Sequence, residues 1–246
     1  MKTWFLIAAT VACLGTSAAV AANGPSWVGK FTIAGAPPAP WRVVQINKKT
    51  RPTAYRVATV DGVVAVEARA DSSMALFARP ITIDLSATPI LCWRWRVDAP
   101  VASADMTRKS GDDYAARLYV AFDIPDRAMG AGTKFKLGIA RRLFGTVVPD
   151  AALNYVWDNR NPVGTHRKSP YTDRAQLIVA ETGTASAGRW QSERADVAAD
   201  FARAFNNVPG TPIQLAITSD TDNTASKAYA AFADIHFVAR EARCGM

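Results

Sequence analysis

The chain has 246 residues, 49% of them hydrophobic, and a net charge of +8 from 29 lysines and arginines against 21 acidic residues. This length is sufficient for one large β domain. The basic residues are spread along the chain without a long run of like charges, which favours anionic partners or surfaces in general. No RNA- or DNA-binding motif accompanies them, so we expect no nucleic-acid partner.

Residues 1–22 have the features of a secretory signal peptide. Lys2 precedes an apolar segment from Trp4 to Leu14, and the small residues that follow end in Ala19-Val20-Ala21. The apolar segment is shorter than the roughly 20 residues of a spanning helix, and we expect no transmembrane segment. The sequence therefore predicts a periplasmic or secreted protein in which residues 23–246 form a single domain.

Two cysteines lie in the predicted mature chain, Cys92 within an apolar run and Cys244 near the C-terminus. In an oxidising compartment they are candidates for a disulfide that ties the C-terminus to a sheet. The alternative is a buried free Cys92 and a reactive Cys244.

Short β-branched and aromatic runs, separated by Gly, Pro, Asn and Asp clusters, predict an all-β fold, which we interpret as an antiparallel β-sandwich of jelly-roll type. Asp61-Gly62 is typical of a type I′ turn between two alternating runs. The predicted strands are 27–33, 41–46, 54–60, 63–69, 75–83, 90–97, 117–123, 135–140, 153–157, 175–181, 213–219 and 228–238.

One segment departs from the strand pattern. In DVAADFARAFN at 196–206, the apolar residues Val197, Phe201 and Phe205 are spaced by four, which predicts a short amphipathic helix with Asp196 as its N-cap. We expect this helix to close one end or edge of the sandwich.

The strand ILCWRWRV at 90–97 places Trp93 and Trp95 on one face and Arg94 and Arg96 on the other. We interpret the tryptophans as core, with a sugar-stacking platform as the alternative. If this strand pairs with 117–123, its arginines share one polar, positively charged face with the second strand.

The segment KSGDDYAARLYVAFD at 109–123 contains five candidate ligand-binding residues: Lys109, Asp112, Asp113, Arg117 and Tyr119. Asp112 and Asp113 are adjacent and point to opposite sides of an extended chain, so they do not form a glycosidase acid pair with each other. The segment is either a ligand site or a buried ion-pair network that fixes the loop, with Gly111 giving the backbone freedom to bend.

Trp157 and Asp158, in LNYVWDNRN, are further ligand-binding candidates at a strand end, although Trp157 is equally suited to closing the core. In SDTDNT at 219–224, Asp220, Asp222 and Asn223 are a candidate site for calcium, because oxygen donors at close spacing suit a hard cation. The sequence indicates no other cofactor. The alternative is an Asx turn in which the side chains bond their own backbone.

Five motifs occur in a specific order: WRWRV, KSGDDYAARLYVAFD, LNYVW, SDTDNT and AYAAFADIHF. In this order they resemble the bacterial domain-of-unknown-function family 3047, and the resemblance covers most of the mature chain. It implies a secreted β-sandwich without an established activity. The run FADIHF is also similar to the closing strand of galactose-binding-like and carbohydrate-binding jelly rolls.

Three functions follow as hypotheses. The first is binding of a carbohydrate or another hydroxyl-rich or anionic envelope ligand, with Arg117, Tyr119, Asp112 and Trp157 in contact with it. The second is a polysaccharide-active hydrolase or lyase, which needs two acids or a Tyr/Arg pair in one cleft. The third is a structural partner in the cell envelope. The sequence identifies neither the ligand nor the oligomeric state.

Overall fold

The computed structural model describes residues 24–144 and 148–245, and the predicted signal peptide lies outside these ranges. Within these ranges, thirteen strands and two α-helices follow one another. They are β1 (Ser26–Gly29), β2 (Arg42–Val44), β3 (Ala54–Val60), β4 (Val63–Asp71), β5 (Leu76–Pro80), β6 (Ile90–Val97), β7 (Tyr114–Asp123), α1 (Ala131–Phe144), β8 (Ala151–Asp158), β9 (His166–Ser169), β10 (Thr172–Thr182), β11 (Gln191–Asp196), α2 (Val197–Ala204), β12 (Thr211–Asp220) and β13 (Lys227–Val238).

The strands form two sheets. The six-stranded sheet has the order β11-β6-β13-β4-β3, with β1 also paired to β13, and the seven-stranded sheet has the order β2-β5-β12-β7-β8-β10-β9. The pairings are antiparallel apart from that of β8 with β10, which is parallel. The expected all-β sandwich is confirmed.

The β3–β4 hairpin forms at the predicted turn. Val60 pairs with Val63, and Asp61 and Gly62 both have positive φ, 48° and 79°. Aspartate and glycine tolerate this left-handed conformation better than other residues, and the type I′ turn requires it twice.

Aromatic side chains join the two sheets across the core. The ring centroids of Trp93 and Tyr155 are 5.4 Å apart, and those of Trp95 and Trp157 are 5.9 Å apart. The interpretation of Trp93 and Trp95 as core is confirmed. Trp157 was a ligand-contact candidate, but it is completely buried and its indole N–H donates to the carbonyl of Gly183 at 3.0 Å, so no ligand reaches it.

The amphipathic helix predicted near residue 200 is α2. Its N-cap is Asp196, whose side chain accepts a hydrogen bond from the backbone N–H of Ala199 at 3.1 Å. Phe201 packs on Phe122 of the seven-stranded sheet with ring centroids 4.1 Å apart. The helix therefore closes the core with its apolar face, as expected.

The strand predicted at 135–140 was wrong, because this segment lies within α1. In a six-residue window, Phe135, Leu137 and Ile139 alternate with other residues as in a strand. Over the full element, Phe135 and Ile139 have the four-residue spacing of a helix, and Ala, Lys, Leu and Arg around them are good helix formers.

The shared polar face of strands 90–97 and 117–123 was also wrong. β6 belongs to the six-stranded sheet and β7 to the seven-stranded sheet, so their outward side chains lie on opposite surfaces of the sandwich. Arg94 pairs with Asp234, and Arg96 pairs with Asp61 and Asp98. These arginines are used in ion pairs on the outer face of their own sheet.

Cys92 of β6 and Cys244 form a disulfide, with their Cα atoms 5.7 Å apart. The structure therefore confirms the disulfide and not the alternative of two free cysteines. It closes a loop of 152 residues, which in the chain-entropy model stabilises the fold by about 4–5 kcal/mol.

A half-buried carboxyl group lies at the edge of the core. Glu193 of β11 accepts a hydrogen bond from the indole N–H of Trp95 at 3.0 Å. Burial raises the pKa of Glu193 to about 7, against the opposing effect of this hydrogen bond, and the nearby carboxylate of Glu181 raises it further. Folding therefore favours the protonated acid.

We predict that Glu193→Gln removes part of the pH dependence of stability. The pKa of Glu193 in the folded protein, about 7, exceeds the ordinary 4.5, so the wild-type protein binds a proton on folding. Its free energy of unfolding therefore falls by about 1–3 kcal/mol as the pH rises between these two values. Glutamine keeps an acceptor for Trp95 but does not titrate. Urea denaturation across this pH range should give a flatter profile for the variant, and an identical profile would contradict this account of Glu193.

Candidate functional site

The loop between β6 and β7 leads into the polar cluster that the sequence singled out. After a single 3-10 turn at Lys109–Gly111, the chain enters β7 at Tyr114. In β7, Leu118, Val120 and Phe122 belong to the core between the sheets. The alternate residues, among them Arg117, therefore lie on the outer face of the seven-stranded sheet.

Arg117 is the centre of a buried ion-pair network. One terminal nitrogen, Nη2, is 3.1 Å from Oδ1 of Asp112 and 3.1 Å from Oδ2 of Asp220, and it also donates to the backbone carbonyl of Asp112 at 2.9 Å. The other, Nη1, donates to the hydroxyl of Tyr119 at 2.9 Å. The side chains of Arg117, Asp112 and Asp220 are only 6%, 6% and 3% exposed.

The network favours proton uptake. Burial raises the pKa of Asp220 well above its usual range, and the carboxylates of Asp113 and Asp112 add to the effect, although Arg117 opposes it. Burial likewise raises the pKa of Asp112 against the attraction of Arg117. One guanidinium therefore does not compensate fully for the desolvated carboxyl groups around it.

Asp113 faces away from Arg117 and fixes a second loop. Its Oδ1 accepts from the backbone and side-chain N–H groups of Asn223 at 3.3 and 3.0 Å. Its Oδ2 accepts from the backbone N–H of Thr224 at 2.7 Å and from its hydroxyl at 2.6 Å. The two adjacent aspartates therefore hold different segments, Asp112 its own loop and Asp113 the loop between β12 and β13.

Asp112, Asp113 and Arg117, three of the predicted ligand-binding residues of this segment, form these contacts in buried positions. Asp113 is completely buried, and Asp112 and Arg117 are each 5% exposed. The two terminal nitrogens of Arg117 contact protein groups, and its Nε is buried without a partner. Of the two alternatives for this segment, the structure shows a buried ion-pair network. Two of the candidate residues, Arg117 and Tyr119, lie on the described strand β7. Of these two, Tyr119 is the more exposed, since it is half-buried beside Arg117.

Gly111 is required for close approach of the backbone. A Cβ atom added here would lie 2.7 Å from Cβ of Asp105 and 2.8 Å from its backbone nitrogen. The N–H of Asp105 donates to the carbonyl of Gly111 at 2.7 Å across the same contact. The glycine therefore allows the loop to pack on itself.

Tyr171, between β9 and β10, joins three loops. Its hydroxyl lies 2.7 Å from Oδ1 of Asn223 and 3.2 Å from the carbonyl of Lys109. The ammonium group of Lys109 is 5.4 Å from the centre of the Tyr171 ring. Lys109, a predicted ligand residue, is exposed at this junction. No local motif marks a tyrosine between β9 and β10, so only the fold reveals this contact.

The other predicted site residues also bond to the protein. Asp158 is buried and accepts from the backbone N–H groups of Arg160 and Asn161 at 2.8 and 2.6 Å, which caps its own loop.

The three residues of the candidate calcium site do not converge on one point. Asp220 accepts from the N–H of Tyr114 at 3.0 Å in addition to its contact with Arg117. Asn223 turns to Asp113, and Asp222 is exposed. Within residues 24–144 and 148–245, no group of three or more His, Cys, Asp or Glu side chains is arranged to hold a metal ion.

A cleft lies at the opposite end of β7, six residues and roughly 20 Å along the strand from Arg117. Its volume is about 430 Å³, within the range of small-ligand sites. Six separate segments contribute its walls. The lining residues are Pro40, Arg42, Pro80, Asp123, Arg141, Val148, Pro149, Asp150, Ile213 and Gln214.

Two carboxyl groups meet in this cleft. Asp150 is buried; its Oδ1 accepts from Arg141 at 2.8 Å and its Oδ2 from the N–H of Ile124 at 2.9 Å. Asp123 is exposed at the end of β7. A hydrogen bond with the carboxyl of Asp150 is the main reason that the pKa of Asp123 is raised. Neither this pair nor the arginines beside it lie in a motif that would mark a site in the sequence.

The fold defines a two-sheet β-sandwich with a polar cleft at one end of its larger sheet. The chain matches the family described as a protein of unknown function (DUF3047) over residues 39–236, and it belongs to that family. No curated protein matches it. Among the described residues, no helix is both long and apolar enough to cross a bilayer.

One similar solved structure is the xyloglucanase domain of NopAA, a type three effector from Sinorhizobium fredii, in complex with cellobiose. It has 11% sequence identity and a TM-score of 0.38, over 81% of this chain and 93% of that one. At this level the similarity carries no argument about function.

We predict that Asp113→Ala destabilises the protein by about 3–5 kcal/mol, because it leaves the donors of Asn223 and Thr224 unpaired at a buried position. Asp222→Ala is the matched control in the same loop: Asp222 is exposed, and its loss should cost less than about 0.5 kcal/mol. Urea denaturation measures both, and equal costs would show that Asp113 is not the residue that holds this loop.

Proposed function

We propose that this chain is a periplasmic or secreted binding protein for an anionic, hydroxyl-rich ligand such as an acidic glycan. The ligand lies in the cleft at the Asp123 end of the seven-stranded sheet. The observation that carries the proposal is the presence of two arginines, an exposed carboxyl and a side-chain amide around one cleft of about 430 Å³.

The arginines supply the preference for a negative charge. Arg42 is exposed on the cleft wall, and the Arg141 side chain remains 41% exposed although it pairs with Asp150. A guanidinium binds a carboxylate or phosphate through two parallel hydrogen bonds, which a neutral sugar does not offer. The net charge of the whole chain, +8, also attracts anionic ligands.

The remaining polar groups suit hydroxyls. Gln214 presents both a donor and acceptor, and the Asp123 carboxyl accepts hydrogen bonds when ionised. Pro40, Pro80 and Ile213 add apolar surface beside them. This mixture of a few polar groups on an apolar wall is typical of small-molecule sites.

The export that this proposal assumes rests on residues 1–22, with their apolar core and A-x-A ending. The Cys92–Cys244 disulfide supports it, because disulfides persist in oxidising compartments.

We predict that Arg42→Ala weakens binding of an oligogalacturonide by about tenfold or more, because one charge-assisted contact is lost. Isothermal titration against oligogalacturonides and neutral galacto-oligosaccharides of equal length measures the preference. Arg51→Ala, at a residue outside the cleft whose side chain is 72% exposed, is the matched control and should leave the affinity unchanged. Equal loss in both variants, or no binding of acidic oligosaccharides, would overturn the proposal.

The Asp123–Asp150 pair favours a second candidate, hydrolysis of a bound glycan. The hydrogen bond with Asp150 raises the pKa of Asp123, and a carboxyl that keeps its proton to higher pH is suited to act as a general acid. Release of reducing ends from polygalacturonate by the wild-type protein, reduced by at least about a hundredfold in Asp123→Asn, would support this candidate. Binding without release would leave the protein as a binding module.

A further inference from the structure

Helix α1 differs in charge from the rest of the chain. Its sequence, AGTKFKLGIARRLF, contains four lysines and arginines and no acidic residue. The protein as a whole has 21 acidic residues against 29 basic ones, so a 14-residue element without any acid is a local concentration of positive charge.

The helix has two large apolar side chains turned outward. Phe135 is 71% exposed and Ile139 is 45% exposed. Residues four apart lie on one face of a helix, with their Cβ atoms about 6 Å apart, so the two side chains form one small apolar patch. Lys134, next to Phe135, is exposed as well.

The opposite side of the helix holds it to the protein. Leu137, about half a turn from both exposed residues, is only 6% exposed. Arg141 donates to the carbonyl of Val148 at 3.2 Å and pairs with Asp150 at 2.8 Å. The apolar patch is therefore turned away from the domain because Leu137 and Arg141 occupy the inner side.

We propose that α1 binds the surface of an anionic phospholipid membrane, with Phe135 and Ile139 inserted at the boundary between headgroups and acyl chains. The helix has four basic residues and no acid, and the exposed Lys134 lies beside the exposed Phe135 and Ile139. An exposed apolar patch on a basic helix is the combination by which interfacial helices bind such surfaces. The proposal does not depend on the ligand of the cleft.

The size of the patch favours a membrane over a protein partner. A stable protein interface buries about 800 Å² on each side, and two side chains supply only a fraction of that area. A lipid surface needs less apolar contact, because each basic residue near anionic headgroups contributes to binding in addition.

The test is co-sedimentation of the chain from residue 23 onward with vesicles of phosphatidylcholine alone or of phosphatidylcholine and phosphatidylglycerol in equal parts. We expect sedimentation with the anionic vesicles only, and release when the salt concentration is raised, because salt screens the headgroup charge. Phe135→Ser with Ile139→Ser should weaken the binding by about tenfold or more.

The matched control is Ile33→Ser with Val163→Ser, which removes two exposed apolar side chains from loops elsewhere, 80% and 59% exposed. It should sediment like the wild-type protein, and all three proteins should share one urea midpoint, since none of the four residues is buried. Three results would overturn the proposal: no sedimentation of the wild-type protein, equal sedimentation with neutral vesicles, or unchanged sedimentation of the Phe135/Ile139 variant.

Discussion

The arrangement of loops at one end of the sandwich depends on the buried guanidinium of Arg117. It contacts Asp112 at the end of one loop and Asp220 at the end of β12, and β7 and β12 are hydrogen-bonded neighbours. Removing one partner of such a network leaves an uncompensated buried charge, which typically costs about 3–5 kcal/mol. The network need not add much stability in itself, but it permits one arrangement of the loops and penalises others. Asp113, Asn223 and Tyr171 extend that arrangement to two further loops.

This constraint explains why the most charged segment is not the most accessible one. The terminal nitrogens of Arg117 contact Asp112, Asp220 and Tyr119, and Arg117, Asp112 and Asp220 are almost completely buried, so little of their surface is accessible to a ligand. At the other end of β7, Asp123 is exposed, and the cleft beside it contains polar groups that still face solvent. One strand therefore connects a structural cluster to a candidate binding site. The six-residue separation along β7 keeps the two apart.

Much of the fold follows from local patterns in the sequence. Asp61-Gly62 predicts the β3–β4 turn because few residue pairs tolerate two positive φ angles, and the alternation in ILCWRWRV predicts which side of β6 faces the core. Asp196 and the four-residue spacing after it predict α2. These signals are local, so they predict the turn, the strand face and the helix without knowledge of which strands pair.

The site could not be predicted in the same way. Chain order does not reveal that β6 and β7 lie in different sheets, and this error alone created the expected polar face of Arg94, Arg96 and Arg117. The cleft combines one to three residues from each of six segments, such as Arg42, Asp123 and Gln214, and none of these segments has a motif of its own. Asp112 and Asp113 were selected because they are adjacent, yet burial rather than adjacency determines their role.

The central claim is that the ligand binds in the cleft and that the Arg117 network is structural. Titration of the isotopically labelled protein with an oligogalacturonide, followed through backbone amide chemical shifts, tests both parts at once. The account predicts shifts concentrated at Arg42, Asp123 and Gln214. Shifts concentrated at residues 109–113 and 221–224 would contradict it, because the ligand would then contact the segments that the buried network holds.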